Sequence, residues 1–496
     1  MNGPSFFALL RWEVRRVGRA PLLWIVLVAI VASFVWGAAT TATLPQRQAA
    51  AHERIAAEEA DWLSDVKKRA AQYRRAAPPG TADLPTWQDP TDLSGFARFF
   101  LLAHSLKPHL PLSVLATGNS DLAPSWLQVK VNVPFAGEPT YDFENPRSLA
   151  IGTPGLDFAI VYLLPIGLIL LFGLLGTFER DHGMLPLIAA QPISPRRWLF
   201  ARLSAILAWT VPVVLAGLLI ALTTAGVAIG TALPTLGTAL ALVAAYILFW
   251  TALAAAVLAT WPGAAAAVGA MTSLWAMLTI GLPLLATLVL ATVVPAPSRT
   301  AYLDLQRRVS DAVENQVEVI VARDLARDSL FAGKPTQEKD VKDLARISFT
   351  LPEIERRLML AHAAFGRHHV DQLRIATVAG YAVPPLGLSI AMAGLAGTDD
   401  ARQIRYEQRT ADYQQQLRTF FFTLARQQVV RPVPFDPIRS RGRLNFTDFD
   451  SVPRYVVPVE QSDVASTWLF CAWLAGVGAL ILLAVGLRLR EWPGRE

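Results

Sequence analysis

Five long apolar runs constrain this chain more than any other feature: Pro21–Thr41, Leu156–Thr177, Leu199–Ala221, Thr235–Thr260 and Ala264–Val294. A sixth, Ser466–Leu487, follows near the C-terminus. About 20 apolar residues cross a hydrocarbon core roughly 30 Å thick. A chain in that core must satisfy its backbone N–H and C=O groups internally, which leaves the helix for runs of this length. Charged residues make up only 17% of the chain, against roughly 25% in ordinary soluble domains. The fold class that follows is an all-α polytopic membrane protein with six transmembrane helices.

Arginines near the ends of these runs set the expected orientation, because short cytoplasmic loops carry an excess of basic residues. Arg11, Arg15, Arg16 and Arg19 precede the first run, with Glu13 the only acid among them. Arg180, Arg196 and Arg197 flank the segment 178–198, and Arg488, Arg490 and Arg495 follow the last run. The connection Thr223–Pro234 carries no charge. The reading places residues 1–20, the segment 178–198 and the tail 488–496 in the cytoplasm. Phe6, Phe7, Leu10 and Val14 recur at helical spacing, with Arg11 and Arg15 on another face. That pattern predicts an interfacial amphipathic helix leading into an uncleaved first span, whose apolar run exceeds the 7–15 residues usual in a signal peptide.

Two polar insertions, 42–155 and 295–465, then lie outside the cytoplasm and are large enough to form one domain. Ile55, Trp62, Val66, Ala70 and Tyr73 fall at helical spacing, predicting a helix over Gln46–Arg75 stopped by Pro78-Pro79-Gly80. The rest of the first insertion reads as loops with short strands. In the second, three apolar stripes predict helices packed on a core. The first, Leu305, Val309, Val313, Val317 and Ile320, follows Pro297, and the second, Ile354, Leu358 and Ala361, follows Pro352. The third is Tyr413, Leu417, Phe420, Phe421 and Leu424. Asp399-Asp400 reads as a helix N-terminus, where acids favour the dipole. The tail Arg431–Glu460 is expected to be extended. Thr377–Thr398 is uncharged and long enough to span, but its prolines and glycines predict a helix on or near the outer leaflet. The extracytoplasmic domain is thus expected to be mainly helical, α with minor β.

Several function classes are disfavoured. Gly333-Lys334 hints at a phosphate loop, yet the first glycine position is Asp328 and the hydroxyl position is Pro335, so the Walker pattern fails. Ion-coupled carriers keep ionisable groups in the membrane interior; here Asp157 and Arg202 lie near span ends. Six of the seven histidines fall in the insertions, but at no zinc-ligand spacing and with no cysteine to assist. The lone Cys471 reads as an apolar filler and allows no intramolecular disulfide. A pI near 9.5 without a basic stripe gives no case for nucleic acid. No catalytic site, resident metal or cofactor is expected.

The run TFERDHGMLPLIAAQPISPRRWLFARL resembles the coupling segment of ABC-2 type transporter permeases. There an acidic-basic pair after the second span leads through a Gly-Leu patch to a Gln-Pro or Ser-Pro turn and paired basic residues. In that family the segment is a coupling helix docked in a groove of the ATP-binding subunit. Carried over, the resemblance implies that Glu179, Arg180, Gly183, Leu185, Gln191, Pro192, Arg196 and Arg197 dock an ATPase. Ala396, Gly397, Thr398 and Asp399, in SIAMAGLAGTDDARQIRYEQ, are similar to an outer-domain motif of a bacterial subgroup with a large periplasmic domain of unknown function. Asp450–Pro458 and Asn145-Pro146 resemble that subgroup too. The resemblance implies a permease subunit in the bacterial inner membrane, a probable exporter in contact with membrane lipids. It would pair with a second permease subunit, identical or paralogous, and with two copies of an ABC ATPase that holds ATP and magnesium. The alternative is a mechanotransducer whose periplasmic domain acts on an envelope partner.

Overall fold

The computed structural model describes residues 5–75, 84–136, 154–432 and 442–489. The expected stop at Pro78-Pro79-Gly80, the Asn145-Pro146 motif, part of the 431–460 tail, and Arg490 and Arg495 lie outside them. Among the described residues, six helices are long and apolar enough to cross a membrane. In chain order the main helices begin with α1 (Phe6–Gly18), α2 (Pro21–Tyr73), α3 (Leu156–Leu175), α4 (Pro195–Thr224) and α5 (Ile229–Leu258). Next come α6 (Ala264–Val293), α7 (Arg299–Glu314), α8 (Val317–Arg327) and α9 (Asp343–Ala382). The last are α10 (Pro384–Ala396), α11 (Asp400–Val430) and α12 (Val464–Arg488).

The apolar helices α2–α6 and α12 make one bundle. Helix α2 packs on α4 and α5 packs on α12, while α1 lies along α4. One continuous core joins Leu23, Leu27, Phe34, Leu168, Phe172, Leu218, Tyr246 and Leu474. Helix α6 stands at its margin: only 6% of its most apolar window is buried, against 67% for α3. Its first half rests on α3 and α5. We call the end of the bundle that carries α1 and residues 178–198 the basal end.

Helix α2 is a single element of 53 residues, about 80 Å at 1.5 Å per residue. The apolar run and the amphipathic extension expected over Gln46–Arg75 are therefore one helix, closing at Tyr73. Pro45 lies inside it and is buried. Past the bundle, Val66 and Ala70 enter a second core with Phe96, Val131, Phe349, Leu417, Phe421 and Phe446. This outer unit contains α7–α9, α11 and a two-stranded antiparallel sheet. The sheet pairs β1 (His104–Leu106) with β2 (Trp126–Gln128), Ser105 opposite Leu127. Gln48 Nε2 donates to Ser120 O at 3.2 Å and His52 Nε2 sits 3.1 Å from Ser125 O, fastening the β1–β2 loop to α2.

Two helical expectations need correction. The stripe from Leu305 to Ile320 crosses two helices, with α7 ending at Glu314 and α8 starting at Val317; Val313, Val317 and Ile320 still reach the core. Helix α9 begins at Asp343 rather than after Pro352, which lies within it. A proline has no N–H for the carbonyl four residues earlier. That carbonyl, Ser348 O, instead accepts from Arg426 at 2.7 Å. The third stripe is as expected, with Tyr413, Leu417 and Phe421 buried in α11.

Thr377–Thr398 is not one helix. Residues up to Ala382 finish α9, and the chain breaks at Val383 before Pro384-Pro385, as the steric demand of proline on its predecessor requires. The remainder is α10, whose 13 residues rise only about 20 Å, too short to cross a bilayer core. Leu388, Met392, Leu395 and Ala396 are buried, and α10 packs on α12 and α5.

Candidate functional site

At the basal end, three chain segments meet on one guanidinium. Arg202 enters in the second turn of α4, Glu13 from the buried face of α1, and Glu179 from the short turn after α3. Arg202 and Glu13 are both 0% exposed. Arg202 donates through Nε to Glu13 Oε2 at 2.7 Å and through Nη2 to Glu13 Oε1 at 3.0 Å. Its Nη1 donates to Glu179 Oε2 at 2.7 Å and to Leu175 O at 2.9 Å, and Nη2 also reaches Glu179. The planar fork of arginine allows this two-sided bidentate geometry, which an ammonium would not reproduce.

Arg16 balances the second carboxylate. Its Nε lies 3.2 Å from Glu13 Oε2 and its Nη1 3.3 Å from Glu179 Oε1. Two acids and two arginines thus close a neutral buried cluster, the condition under which buried charge is tolerated. Rings cover it: Arg202 lies 4.8 Å from the Trp198 ring centroid and Arg16 5.5 Å from that of Phe178.

The segment 178–198 is held at further points. Asp181 accepts from Ala264 N at 3.1 Å, capping α6. Leu185 and Ile188 pack on the bundle core, whereas Met184 and Leu187 are exposed. Ser194 caps α4 by accepting from Arg197 N. Of the residues proposed to dock an ATPase, Arg180, Gly183, Gln191, Pro192, Arg196 and Arg197 are exposed, and Leu185 is half-buried. Glu179 is turned inward and spent on Arg202 and Arg16. The acid thus anchors the segment to the bundle while the basic residues and the Gln-Pro turn form its surface. Sequence reasoning passed over Glu13 and Arg202 as partners; the signals were an acid in a basic helix and an arginine in an apolar run.

The second candidate set lies where the bundle meets the outer unit. Helix α10 ends on Gly397, which adopts φ of 69°, a left-handed conformation that glycine takes without strain. Thr398 Oγ1 donates to Ala116 O at 3.1 Å, and Asn119 N donates to Thr398 O at 2.8 Å. Asp399 caps α11 by accepting from Arg402 N at 3.0 Å. Arg402 then donates to Gly397 O at 2.8 Å, to Pro108 O and to Glu460. Ala396 is fully buried beneath. These residues are a joint: they pin the 107–120 loop, the α10–α11 turn and the chain returning to α12.

Charge in the joint is dense. Burial, aided by the nearby Arg402, pushes the Lys107 ammonium down to about 8 while it bonds Gln403. Burial also raises Asp399. Burial tends to raise Glu460 too, but its bonds to Arg402 and Arg409 prevail and hold it below the ordinary carboxylate range. Lys107, Asp399, Arg402 and Glu460 each have a partner in the chain, so the motif accounts for itself by holding the fold. Among the described residues no three His, Cys, Asp or Glu side chains converge as a metal site.

Residues 305–438 match a family described as a domain of unknown function, DUF3526. The match carries no activity with it. It runs from within α7 through α11, including α10 and the joint at Gly397–Asp399, and reaches none of the six long apolar helices. No curated protein and no solved structure matches the chain.

Proposed function

We propose that this chain is the transmembrane permease subunit of an ATP-driven ABC transporter, an exporter of the bacterial inner membrane. The observation that carries the reading is the buried Glu13–Arg202–Glu179 cluster. It fixes an exposed, arginine-bearing segment rigidly to α1, α3 and α4. Such a segment passes a push from below to the helices rather than absorbing it. In this reading the basal end faces the cytoplasm, and Arg180, Gln191, Pro192, Arg196 and Arg197 meet a separate ATPase that binds ATP and magnesium. Two permease chains and two ATPase chains make the working unit.

The test is charge reversal at exposed positions. Full-length protein purified from its native host brings down a Walker-motif ATPase, and Arg196→Glu with Arg197→Glu removes it. A wild-type preparation without an ATPase, or equal recovery with the variant, sinks the reading.

A second reading is favoured by the continuity of α2, which runs unbroken from the bundle into the outer core. ATP-driven movement at the base would then work the outer unit against an envelope partner instead of conducting a substrate. An intact, exported substrate pool in a deletion strain, beside an outer-unit complex that survives purification, separates this from the first.

A further inference from the structure

The outer unit contains a cavity of about 270 Å³ that opens to solvent on one side. It lies between the upper part of α2, the stretch leading into β1, and the extended chain after Phe449. Its walls are aromatic. Trp62 meets Phe100 edge-on at 5.7 Å between ring centroids, and Tyr413 meets Tyr455 at 5.4 Å. Phe449 closes the end toward the core.

Polar groups are few. Glu59 lines the cavity with its side chain 36% exposed, and one of its oxygens lies 2.7 Å from His104 Nδ1. The Tyr455 hydroxyl is buried and has no partner. Tyr413, by contrast, donates to Pro453 O at 3.2 Å. Arg454, the cation at the rim, is directed to Asp450, which also binds Lys67. The carboxylate of Glu59 is therefore the charge that an occupant would meet among the rings.

We propose that this cavity binds an organic cation with an aromatic or branched apolar body and a single ammonium or guanidinium head. Size permits one ring-bearing molecule, since an apolar cavity of ~150 Å³ already admits benzene. Ring faces attract cations, most strongly those of tryptophan, and a carboxylate at the same end adds charge complementarity. An anionic occupant would meet Glu59 unfavourably, and a purely apolar one would leave the carboxylate unused. The site does not depend on the ATPase-coupled reading, because α2 lines it only with its extension beyond the bundle, from Ala56 to Val66, and the basal segment contributes nothing to it.

The experiment uses the full chain in lipid nanodiscs, titrated with tryptamine and with its neutral counterpart 3-ethylindole, against empty nanodiscs. Tryptamine is expected to bind saturably and at least tenfold more weakly to Glu59→Gln and to Trp62→Ala. 3-Ethylindole is expected to lose affinity in Trp62→Ala but not in Glu59→Gln. Phe100→Leu replaces Trp62→Ala should the latter fail to fold. Uptake equal to empty nanodiscs overturns the site. Saturable binding unchanged by Glu59→Gln overturns the cationic ligand class.

Discussion

Glu13 and Arg202 stand 189 residues apart in sequence and 2.7 Å apart in the structure, both shut away from solvent. Their bond makes α1 part of the bundle rather than an appendage to it. Removing one member of a buried ion pair costs roughly 3–5 kcal/mol, because the other charge is left unpaired. Arg202→Ala, which leaves two carboxylates to share Arg16, is expected to lose stability in this range. Arg202→Lys should recover part of it, since an ammonium cannot serve both carboxylates bidentately. Thermal unfolding in detergent checks both, and an Arg202→Ala midpoint equal to wild type would refute the cluster.

The joint at Thr398 offers a milder test. Thr398→Val keeps the shape but removes the donor to Ala116 O; an unsatisfied buried acceptor costs ~1–3 kcal/mol. The loop 107–120 should exchange its amides faster while the bundle stays protected. Gly118→Ala should do more damage. Gly118 has φ of 53°, and a Cβ there would lie 2.4 Å from Thr398 O. Exchange unaltered in both variants would mean that the joint does not hold the loop.

How legible this was depended on the range of the interaction. The apolar runs were readable because each span satisfies its own backbone locally, and their helices appear where the hydropathy places them. Stripes such as Tyr413–Leu417–Phe421 were readable for the same local reason. Pro352 misled because its missing N–H is made good at Ser348 O by Arg426, 78 residues from that acceptor, and no local pattern encodes that. The basal cluster was hidden likewise. Glu13 and Arg202 were each unusual in their own windows, but nothing local pairs them with each other or with Glu179, and only the packing of α1 along α4 joins them. The cavity around Trp62 draws on four separate stretches and left no linear signature.

Lys107 makes the outer unit respond to alkaline pH. Its ammonium sits near 8 in the folded chain and near 10.4 when unfolded. Between these values the unfolded chain binds more protons, so stability rises as pH increases from about 8 toward 10. The gain is bounded at about 3 kcal/mol by the size of the displacement. Tyr406, whose hydroxyl burial raises, works in the opposite sense above pH 10, so the comparison belongs between pH 7.5 and 9.5. Wild-type melting should climb relative to Lys107→Met across that interval. Parallel curves would show that Lys107 is not titrating there.

Helix α2 should be the stiff connection between basal end and outer core, and its stiffness can be reduced without touching either. Ala50 and Ala57 are exposed helical positions between the two cores. Glycine in a helix interior costs about 1 kcal/mol relative to alanine. Ala50→Gly with Ala57→Gly is therefore expected to loosen the helix by about 2 kcal/mol in all. Amide exchange should rise between Leu44 and Arg54, while the cores around Phe34 and Phe421 keep their protection. If basal motion drives the outer unit, this variant should retain the proposed ATPase yet lose movement between spin labels placed on the exposed Leu187 and on Lys68. Undiminished movement would mean that force reaches the outer unit by another route, and α10 with its joint to α11 is then the segment to loosen next.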